Sequence, residues 1–517
     1  MKYPLGIQSF EKLRNEGYVY VDKTALVYKM AQEGSCYFLS RPRRFGKSLL
    51  LSTLKAYFEG KRDLFQGLAI AELETEWNAY PVLHLDLNAE RYTSISELEN
   101  ILDSNLRNWE GIYGCEEQGN SSLSFRFANV IRSARQKTGR GVVVLIDEYD
   151  KPILQAVGNE SLQDEFRNAL KAFYGVLKSA DAEIRFTLLT GVTKFGKVSV
   201  FSDLNNLNDI STDTRYAELC GISEYELHEY FDDEIAELAA ANAQTKEQAY
   251  AELRTRYDGY HFSASSQGIY NPFSVLSTLE KKCYDNYWFA TGTPIYLVEL
   301  LKKSNFHLPD LGNIESDIDS LNSIHSADLD PIPVLFQSGY LTIKGYDKEF
   351  ELYHLDFPNE EVKHGFIKFL LPYYTYCQTS QHKTIIRELV KSLSTGDAER
   401  FMQQMQSVLA DTPYDIVKDL ENHYQNVMYI VTKLLGFYVQ AEYRTSRGRI
   451  DLLIKTDQYI YVIELKHEGS AEEALSQINA KDYILPFTQD SRQLIKIGAN
   501  ISRETRNLDR WVVEVNE

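Results

Sequence analysis

The sequence predicts an α/β protein in which a parallel sheet forms the N-terminal part and a second, smaller α/β domain ends the chain. Two observations lead to this prediction. Over the first 210 residues, short apolar runs alternate with helical patterns, as in chains whose parallel strands are joined by crossover helices. From about residue 396, a long amphipathic helix (415–436) is followed by strands, another helix and two further strands. The residues between these parts predict a mainly helical middle region.

Composition limits the class of protein. The 517 residues suffice for several domains, and 55 basic against 74 acidic side chains give a net charge of −19. A chain this acidic does not coat nucleic acid, so any such contact needs a local basic patch or metal ions. No apolar run approaches the roughly 20 residues that span a bilayer, and the N-terminus lacks the apolar core of an export signal. With five scattered cysteines and no C-x-x-C pair, we expect a cytoplasmic protein without a membrane partner.

Four strands are predicted in the first part because their apolar runs lack strict alternation, as expected for strands that are covered on both faces. They are SCYFLS (35–40), PVLHLDL (81–87), GVVVLID (141–147) and EIRFTLLTG (183–191). In the middle region, Asn271 as N-cap and Pro272 at the first helical position predict a helix start. We place the domain boundaries at 1–223, 224–395 and 396–517.

The order of elements over residues 331–374 resembles a winged helix. A helix is followed by the hairpin sequence GYLTIKGYDKEFELYHL and then by a second helix from Asn359. Such a module would carry the coupling between domains or contact nucleic acid. A lid that contacts protein is the alternative, because the wing mixes Lys344 and Lys348 with acidic side chains.

The stretch RPRRFGKSLL (41–50) lies between a strand and a helix, which is the context of a phosphate-binding P-loop. In such a loop, backbone N–H groups point at phosphate oxygens, a lysine reaches the β- and γ-phosphates, and a hydroxyl ligates Mg²⁺. Gly46, Lys47 and Ser48 supply these groups. A basic strand–helix turn without a ligand is the alternative, because Arg41 stands where the usual loop has glycine.

A second stretch favours the nucleotide site. The strand VVVLID ends at Asp147 and is followed by Glu148, the Walker B arrangement. Asp147 would hold Mg²⁺ through water, and Glu148 would polarise the attacking water. Thr190, at the end of a further strand, stands where a sensor hydroxyl would read the γ-phosphate. Together with Lys47, these residues predict a site for ATP and Mg²⁺.

These residues resemble the AAA-ATPase-like domain of many bacterial proteins of Bacteroides type, over about residues 1–285. The matching segments are YVDKT (20–24), RPRRFGKSL (41–49), LIDEYDKP (145–152), TGVTKF (190–195) and YNP (270–272). RPRRFGKS is the usual form in that family, so Arg41 is no departure. The resemblance implies an AAA-like sheet of the P-loop NTPase class (ASCE) with ATPase activity. Arg43 and Arg44 would contact phosphates or a neighbouring subunit, and a homo-oligomer is left open.

A hairpin near the C-terminus carries two acids and a lysine. In GRIDLLIKTDQYIYVIELKHEG (448–469), a two-residue turn at 457–458 pairs position 456 with 459. Counting back along both strands, Asp451 lies opposite Glu464 with Cβ atoms about 4.5–5.5 Å apart, and Lys466 points to the same face. Facing carboxylates repel, so we expect them to share Mg²⁺ or Mn²⁺ while Lys466 orients or deprotonates the attacking water. An ordinary surface ion cluster around Lys466 is the alternative.

This constellation is similar to the PD-(D/E)XK nuclease superfamily, over about residues 396–517. The matching segments are GRIDL (448–452), IELK (463–466) and ALSQINAKDY (474–483). The resemblance implies a restriction-endonuclease-like α/β domain, with Asp451 and Glu464 as metal ligands and Lys466 as base or stabiliser. Gln477, on the following helix, would contact the scissile backbone. Glu421, on the preceding helix, would be an additional ligand or an ordinary solvated side chain.

Two functions follow from these sites. The first is a Mg²⁺-dependent ATPase fused to a nuclease that cleaves DNA and is gated by the nucleotide, with RNA left open as a substrate. The second is a slow ATPase switch whose C-terminal domain is a non-catalytic binding or assembly module. The net charge of −19 favours the second.

Overall fold

The computed structural model describes most of the chain in two compact units. The described residues are 1–115, 121–156, 158–194, 206–289, 295–312, 314–322, 330–375, 382–410, 420–436, 440–443, 451–466, 469–481, 483–502, 504 and 507–515; only the backbone is described for 89, 295, 296, 312, 382, 383, 420–422 and 440–443. The first unit comprises Met1–Leu297 and Ile314–Val362, and the second Val298–Asn313 and Lys363–Glu517. Among the described residues, no helix combines the length and apolar character that crossing a membrane requires. The three-domain division stays a prediction.

A parallel sheet forms the centre of the first unit. Its strands are β1 (Cys36–Ser40), β2 (Val82–Asp86), β3 (Val142–Asp147), β4 (Ile184–Gly191) and β5 (Asn208–Asp209), in the spatial order β2-β3-β4-β1-β5. All neighbouring pairs run parallel, and the first four strands are those predicted from the sequence. Every residue of β3 is buried, as expected for an apolar strand that is covered on both faces. The α/β fold of the N-terminal part is therefore confirmed.

Helices connect these strands and cover the sheet. In chain order they are Phe10–Asn15, Thr24–Glu33, Lys47–Phe58, Ile70–Leu73, Ile95–Tyr113, Leu123–Thr138, Lys151–Gln155, Glu160–Tyr174 and Val176–Ser179. The longest of them begins at a capping box formed by Ser94 and Glu97, and it buries Leu98, Leu102 and Leu106 at a spacing of four residues. That apolar stripe joins the residues of β2 and β3 in one hydrophobic core.

The rest of the first unit adds small antiparallel sheets. β6 (Ile222–Ser223) pairs with β7 (Ile269–Tyr270), while β8 (Ile314–Ser316), β9 (Thr342–Asp347) and β10 (Leu352–Asp356) form a sheet in the order β8-β10-β9. The further helices of this unit are Glu224–Ala241, Lys246–Tyr257, Pro272–Lys281, Ile318–Asn322 and Ile332–Gln337. Helices Ile295–Lys303 and Glu360–Tyr374 begin in the first unit and end in the second. Asn271 caps its helix by accepting a hydrogen bond from Ser274 N, as predicted. The predicted helix–hairpin–helix order is present, with β8 as an additional strand.

The second unit contains a mixed sheet whose spatial order follows the chain. Its strands are β11 (Gln440–Tyr443), β12 (Leu452–Lys455), β13 (Tyr459–Lys466), β14 (Gln493–Ser502) and β15 (Asn507–Val515). β13 and β14 run parallel and the other neighbours antiparallel. The helices are His382–Ser394, Ala398–Ala410, Leu420–Leu435 and Ala471–Ala480, the last of which connects β13 to β14. This arrangement confirms the predicted C-terminal α/β domain. Parts of three predicted elements lie outside the described residues: 415–419 of the predicted helix (415–436), 437–439 and 444 of a predicted strand (437–444), and 447–450 of the next predicted strand (447–455).

Candidate functional sites

The loop between β1 and helix Lys47–Phe58 has the backbone of an anion-binding turn. Arg44 and Gly46 adopt φ angles of 66° and 93°, both in the left-handed region. Gly46 stands at the N-cap position, where no side chain caps the 12-residue helix. A Cβ atom added to Gly46 would meet nothing within 4 Å, so the space beside this residue is open. The first N–H groups of this helix are therefore suited to an anion.

Lys47 is buried in this turn, where three oxygen atoms surround its ammonium group. Nζ donates to the carbonyl oxygens of Arg41 (3.1 Å) and Pro42 (3.3 Å), and it lies 3.3 Å from Oε1 of Glu148. The positive φ of Glu148, 52°, turns the chain as it leaves β3. The structure thus brings together the lysine and the glutamate that sequence patterns placed in one site.

Asp147 and Thr190 meet at the carboxyl edge of the sheet. Thr190 Oγ1 donates to Asp147 Oδ1 at 2.6 Å, and both side chains are buried. Because β3, β4 and β1 are adjacent and parallel, their ends place these two residues next to the loop that begins after Ser40. Ser48, the second residue of the following helix, is half-buried. The predicted roles of these side chains toward phosphate and Mg²⁺ stay predictions.

Asp150 belongs to the same edge of the sheet, although sequence patterns did not single it out. It is fully buried, and Oδ2 accepts hydrogen bonds from the backbone N–H and the hydroxyl of Thr193, each at 2.7 Å. Burial first, and then the charge of Glu148, raise the pKa of Asp150 to about 6. The only signal for it in the sequence is its position inside the family segment LIDEYDKP. Asp150 fixes the chain that leaves β4 three residues after Thr190.

Arg41, which stands in the place of the usual glycine, is a buried structural residue. Its Nη1 donates to the carbonyl oxygens of Ser40 (2.9 Å) and Ser211 (2.7 Å), and its Nη2 donates to that of Tyr216 (3.1 Å). Burial lowers its pKa to about 10. By contrast, the side chains of Arg43 and Arg44 are exposed, and their contact with phosphates or a neighbouring subunit stays a prediction.

An apolar pocket lies beside the loop. It is lined by residues of the N-terminal segment, of the loop and its helix, and of the region that follows the sheet, among them Tyr20, Val21, Phe45, Gly46, Leu49, Leu50, Cys220, Ile222 and Leu276. The pocket therefore reaches Gly46, the N-cap residue of helix Lys47–Phe58. Pockets of this apolar type suit the flat face of an aromatic ring.

In the second unit, β12 and β13 pair in the register predicted from the turn. Leu452 lies opposite Ile463, and the backbone N–H of Thr456 donates to the carbonyl of Tyr459 at 2.9 Å. Asp451 precedes β12, and its Oδ2 accepts a hydrogen bond from the backbone N–H of Leu465 at 2.8 Å. The structure therefore places Asp451 beside Glu464, the residue before Leu465.

Glu464 is 3% exposed and forms a chain of side-chain contacts with Gln477 and Lys466. Gln477 Nε2 donates to Glu464 Oε1, and Lys466 Nζ donates to Gln477 Oε1 at 2.5 Å. In the described part of the chain, the other carboxylate oxygen, Oε2, is buried and has no hydrogen-bond partner. Gln477 thus bridges Glu464 and Lys466, and this bridge was not predicted from the sequence.

The pKa values of both carboxyl groups in this site are raised. Burial first, and then the charge of Asp451, raise the pKa of Glu464 to about 7, and burial raises the pKa of Asp451. Over the described ranges, no three His, Cys, Asp or Glu side chains form a group suited to a metal ion. Asp451 and Glu464 are thus two ligands at most, and the side chain of Glu421, the predicted additional one, lies outside the described residues. One buried oxygen without a partner fits an oxygen-binding cation.

The raised pKa of Glu464 predicts how stability depends on pH without metal. In the unfolded chain this carboxyl ionises near its ordinary value of 4.5, whereas in the folded protein it ionises near 7. Folding therefore becomes less favourable as pH rises through that window. We expect Glu464→Gln to melt higher than the wild type, by a margin that is larger at pH 8 than at pH 5, in chelator. A margin that is equal at both pH values would contradict the assignment.

Comparison with known proteins gives matches over both sites. A family model described as a predicted AAA-ATPase matches residues 4–201, and a model of the PD-(D/E)XK nuclease superfamily matches residues 419–511. A relative in Azotobacter chroococcum, an uncharacterized protein in the vnfD 5′ region, is 35% identical over 529 residues, which cover 99% of each chain. The first model contains Lys47 and Thr190, and the second contains Asp451 and Gln477.

Proposed function

This chain belongs to the family of the Azotobacter protein and joins an AAA-ATPase-like domain to a PD-(D/E)XK nuclease superfamily domain; from this we propose an ATPase that cleaves DNA. In the proposal, ATP is bound and hydrolysed with Mg²⁺ at the N-terminal site. DNA phosphodiesters are cleaved at the C-terminal site, and the nucleotide gates cleavage. RNA is the alternative substrate.

The ion pair between Lys47 and Glu148 carries the ATPase half of the proposal. Lys47 is held by two carbonyl oxygens and this carboxylate at the mouth of an anion-binding turn. When the β- and γ-phosphates enter the turn, Lys47 would bind them instead, because a phosphate is a stronger partner for ammonium than a carbonyl oxygen. Glu148 would then be released from the lysine to hold the attacking water.

Ser48 and Asp147 would hold the Mg²⁺ of the nucleotide complex, which offsets phosphate charge. The hydrogen bond from Thr190 keeps Asp147 in place at the end of its strand, at 2.6 Å. The apolar pocket beside Gly46 supports a nucleotide with an aromatic base, because Tyr20 and Leu49 line it next to the turn. Because this apolar pocket lies beside the turn, ATP, which has a base, fits the site better than inorganic phosphate does.

The nuclease half rests on the buried Oε2 of Glu464, whose carboxyl group lies near the charge of Asp451. An ionised oxygen without a partner is costly inside a protein, and a divalent cation with oxygen ligands fits the pair. Asp451 and Glu464 would hold Mg²⁺ or Mn²⁺, which would polarise the scissile phosphate. Lys466, held at its Nζ by Gln477, would orient or deprotonate the attacking water. Gln477 would set the position of the lysine in addition to its predicted contact with the scissile backbone.

A cleavage assay on the full chain tests this proposal. Supercoiled DNA, single-stranded DNA and RNA are each incubated with the protein and Mg²⁺ or Mn²⁺, with and without ATP. We expect the wild type to cleave DNA in an ATP-dependent manner and Lys466→Ala to be inactive. Lys391→Ala, which alters an exposed lysine of the same unit, is the matched control and retains cleavage. Glu148→Gln keeps ATP bound without hydrolysis, so it tells whether binding or hydrolysis gates cleavage.

The second candidate is the slow ATPase switch with a non-catalytic C-terminal module. It is favoured by the small number of metal-binding side chains in the described part of the second unit, where Asp451 and Glu464 have no third acidic or histidine neighbour. ATP hydrolysis without cleavage of any of the three substrates would support this candidate. Cleavage by the wild type that is lost in Lys466→Ala would exclude it.

A further inference from the structure

The five residues before Gly46 all contact residues that lie more than 200 positions later in the chain, yet in the same unit. The contacts are Arg41 over the Phe262 ring at 3.9 Å, Trp288 Nε1 donating to the Arg43 carbonyl at 3.1 Å, Arg44 over the Phe273 ring at 5.0 Å, and the Phe45 ring 4.7 Å from that of Tyr260. Pro42 lies so close to Gly339 that a Cβ atom added to Gly339 would be 2.6 Å from the Pro42 ring. The entrance of the turn is therefore packed along its whole length.

The contact with Trp288 acts directly on the backbone of the turn. The indole is 5% exposed and packs against the ring of Tyr340 at 5.1 Å, so its N–H direction is fixed. That N–H donates to the carbonyl of Arg43, the peptide group that leads into Arg44. Because Arg44 has a φ of 66°, this is the point where the chain enters the left-handed conformation of the turn.

Glu361 fixes the backbone of Trp288 by a hydrogen bond. The side chain is 1% exposed, and Oε1 accepts a hydrogen bond from the backbone N–H of Trp288 at 2.8 Å. Oε2 accepts one from the hydroxyl of Ser274 at 2.7 Å. Ser274 follows Phe273, the ring below Arg44, on helix Pro272–Lys281. One buried carboxyl group thus connects the two contacts that hold the backbone of Arg43 and the side chain of Arg44.

We propose that Trp288 and Glu361 are positioning residues for the nucleotide site. They hold the peptide between Arg43 and Arg44 in the orientation in which the N–H groups of the turn meet the phosphates. The inference rests on the proposed ATP site and extends it, since it makes residues of the middle region part of the ATPase. In a glycine-rich loop the turn adopts this shape by itself, whereas here neighbouring residues impose it.

Trp288→Phe tests the inference because it keeps an aromatic ring and removes the N–H donor. We expect its affinity for ATP to fall about fivefold, which is the usual effect of losing one hydrogen bond. Glu361→Ala should lower the affinity further, because it releases both Trp288 and Ser274. Glu361→Gln should restore it to near the wild-type value, since an amide can accept from Trp288 N–H and donate to the Ser274 hydroxyl. Calorimetry gives the affinity, and hydrogen exchange of residues 43–48 should rise in the two weakened variants.

Trp77→Phe is the matched control. In the part of the chain that the structure describes, the indole N–H of Trp77 is buried without a partner, so its loss should leave ATP affinity unchanged. If Trp288→Phe and Glu361→Ala fold and bind ATP as the wild type does, the inference is overturned. If the wild type itself binds no ATP, the proposed ATPase function is wrong, and the inference that rests on it is wrong as well. If Glu361→Gln binds ATP as weakly as Glu361→Ala does, the positioning role of Glu361 is also overturned.

Discussion

Lys47→Ala is expected to lose ATP binding while the protein remains folded. Lys47 is 4% exposed at the mouth of the turn, where its ammonium group faces Glu148 and two carbonyl oxygens. Removing it withdraws the positive charge for the β- and γ-phosphates and leaves Glu148 to repel them. Charge-assisted hydrogen bonds are strong, so we expect the affinity to fall about 100-fold or more. Calorimetry with ATP and Mg²⁺ measures the affinity, and circular dichroism checks the fold.

Lys55→Ala provides the control on the same helix. Lys55 lies two turns after Lys47, its side chain is 42% exposed, and it pairs loosely with Glu59 at 4.0 Å. Such exposed pairs contribute little, so binding and stability should both stay near the wild-type values. ATP binding by Lys47→Ala with wild-type affinity would show that residues 41–48 do not form the phosphate site.

Millimolar Mn²⁺ is expected to raise the melting temperature of the wild type, measured without nucleotide, and to have no such effect on Asp451→Asn or Glu464→Gln. A ligand that binds only the folded state stabilises it, by about 2.7 kcal/mol when its concentration is 100 times the dissociation constant. Both carboxyl groups are needed because the described part of the site offers no third one. Cleavage should be lost in the same two variants.

The melting temperature without metal distinguishes a metal-binding pair of carboxyl groups from an ion cluster that stabilises the fold. With chelator, Asp451→Asn and Glu464→Gln should melt no lower than the wild type, since each removes one of two carboxyl groups that repel. Glu514→Gln is the contrast: its carboxylate pairs with Lys496 at 2.6 Å, so this variant should melt lower and still respond to Mn²⁺. No response of the wild type to Mn²⁺ would leave the C-terminal domain better described as a binding module.

Features of the fold that depend on neighbouring residues in the chain were predictable from the sequence. The strands of the parallel sheet are continuous apolar runs such as β3, whose burial needs no knowledge of its neighbours. The register of β12 and β13 follows from a two-residue turn, and every pair from Leu452–Ile463 to Lys455–Ile460 agrees with it. By contrast, β8 has three residues, too few for any alternation to show.

Contacts that depend on distant residues were not predictable. An arginine in a loop is ordinarily exposed, and only the folded chain shows that Arg41 finds carbonyl groups of Ser211 and Tyr216. Glu361 meets Ser274 across 87 positions of sequence, with no motif to link them. Gln477 stood in a family segment, yet its bridge between Glu464 and Lys466 depends on where its helix lies against β13.

Arg41 also limits how such a loop can change in evolution. Its guanidinium donates to the carbonyl groups of Ser40, Ser211 and Tyr216 in the interior, so exchange for glycine would remove three hydrogen bonds at once. The reverse exchange, in a glycine-rich loop, would bury a charge with no acceptors ready for it. Either single exchange, made without compensating changes elsewhere, should lower the stability of the protein. We therefore expect the two kinds of loop to mark separate lineages, each of which diversifies within its own form.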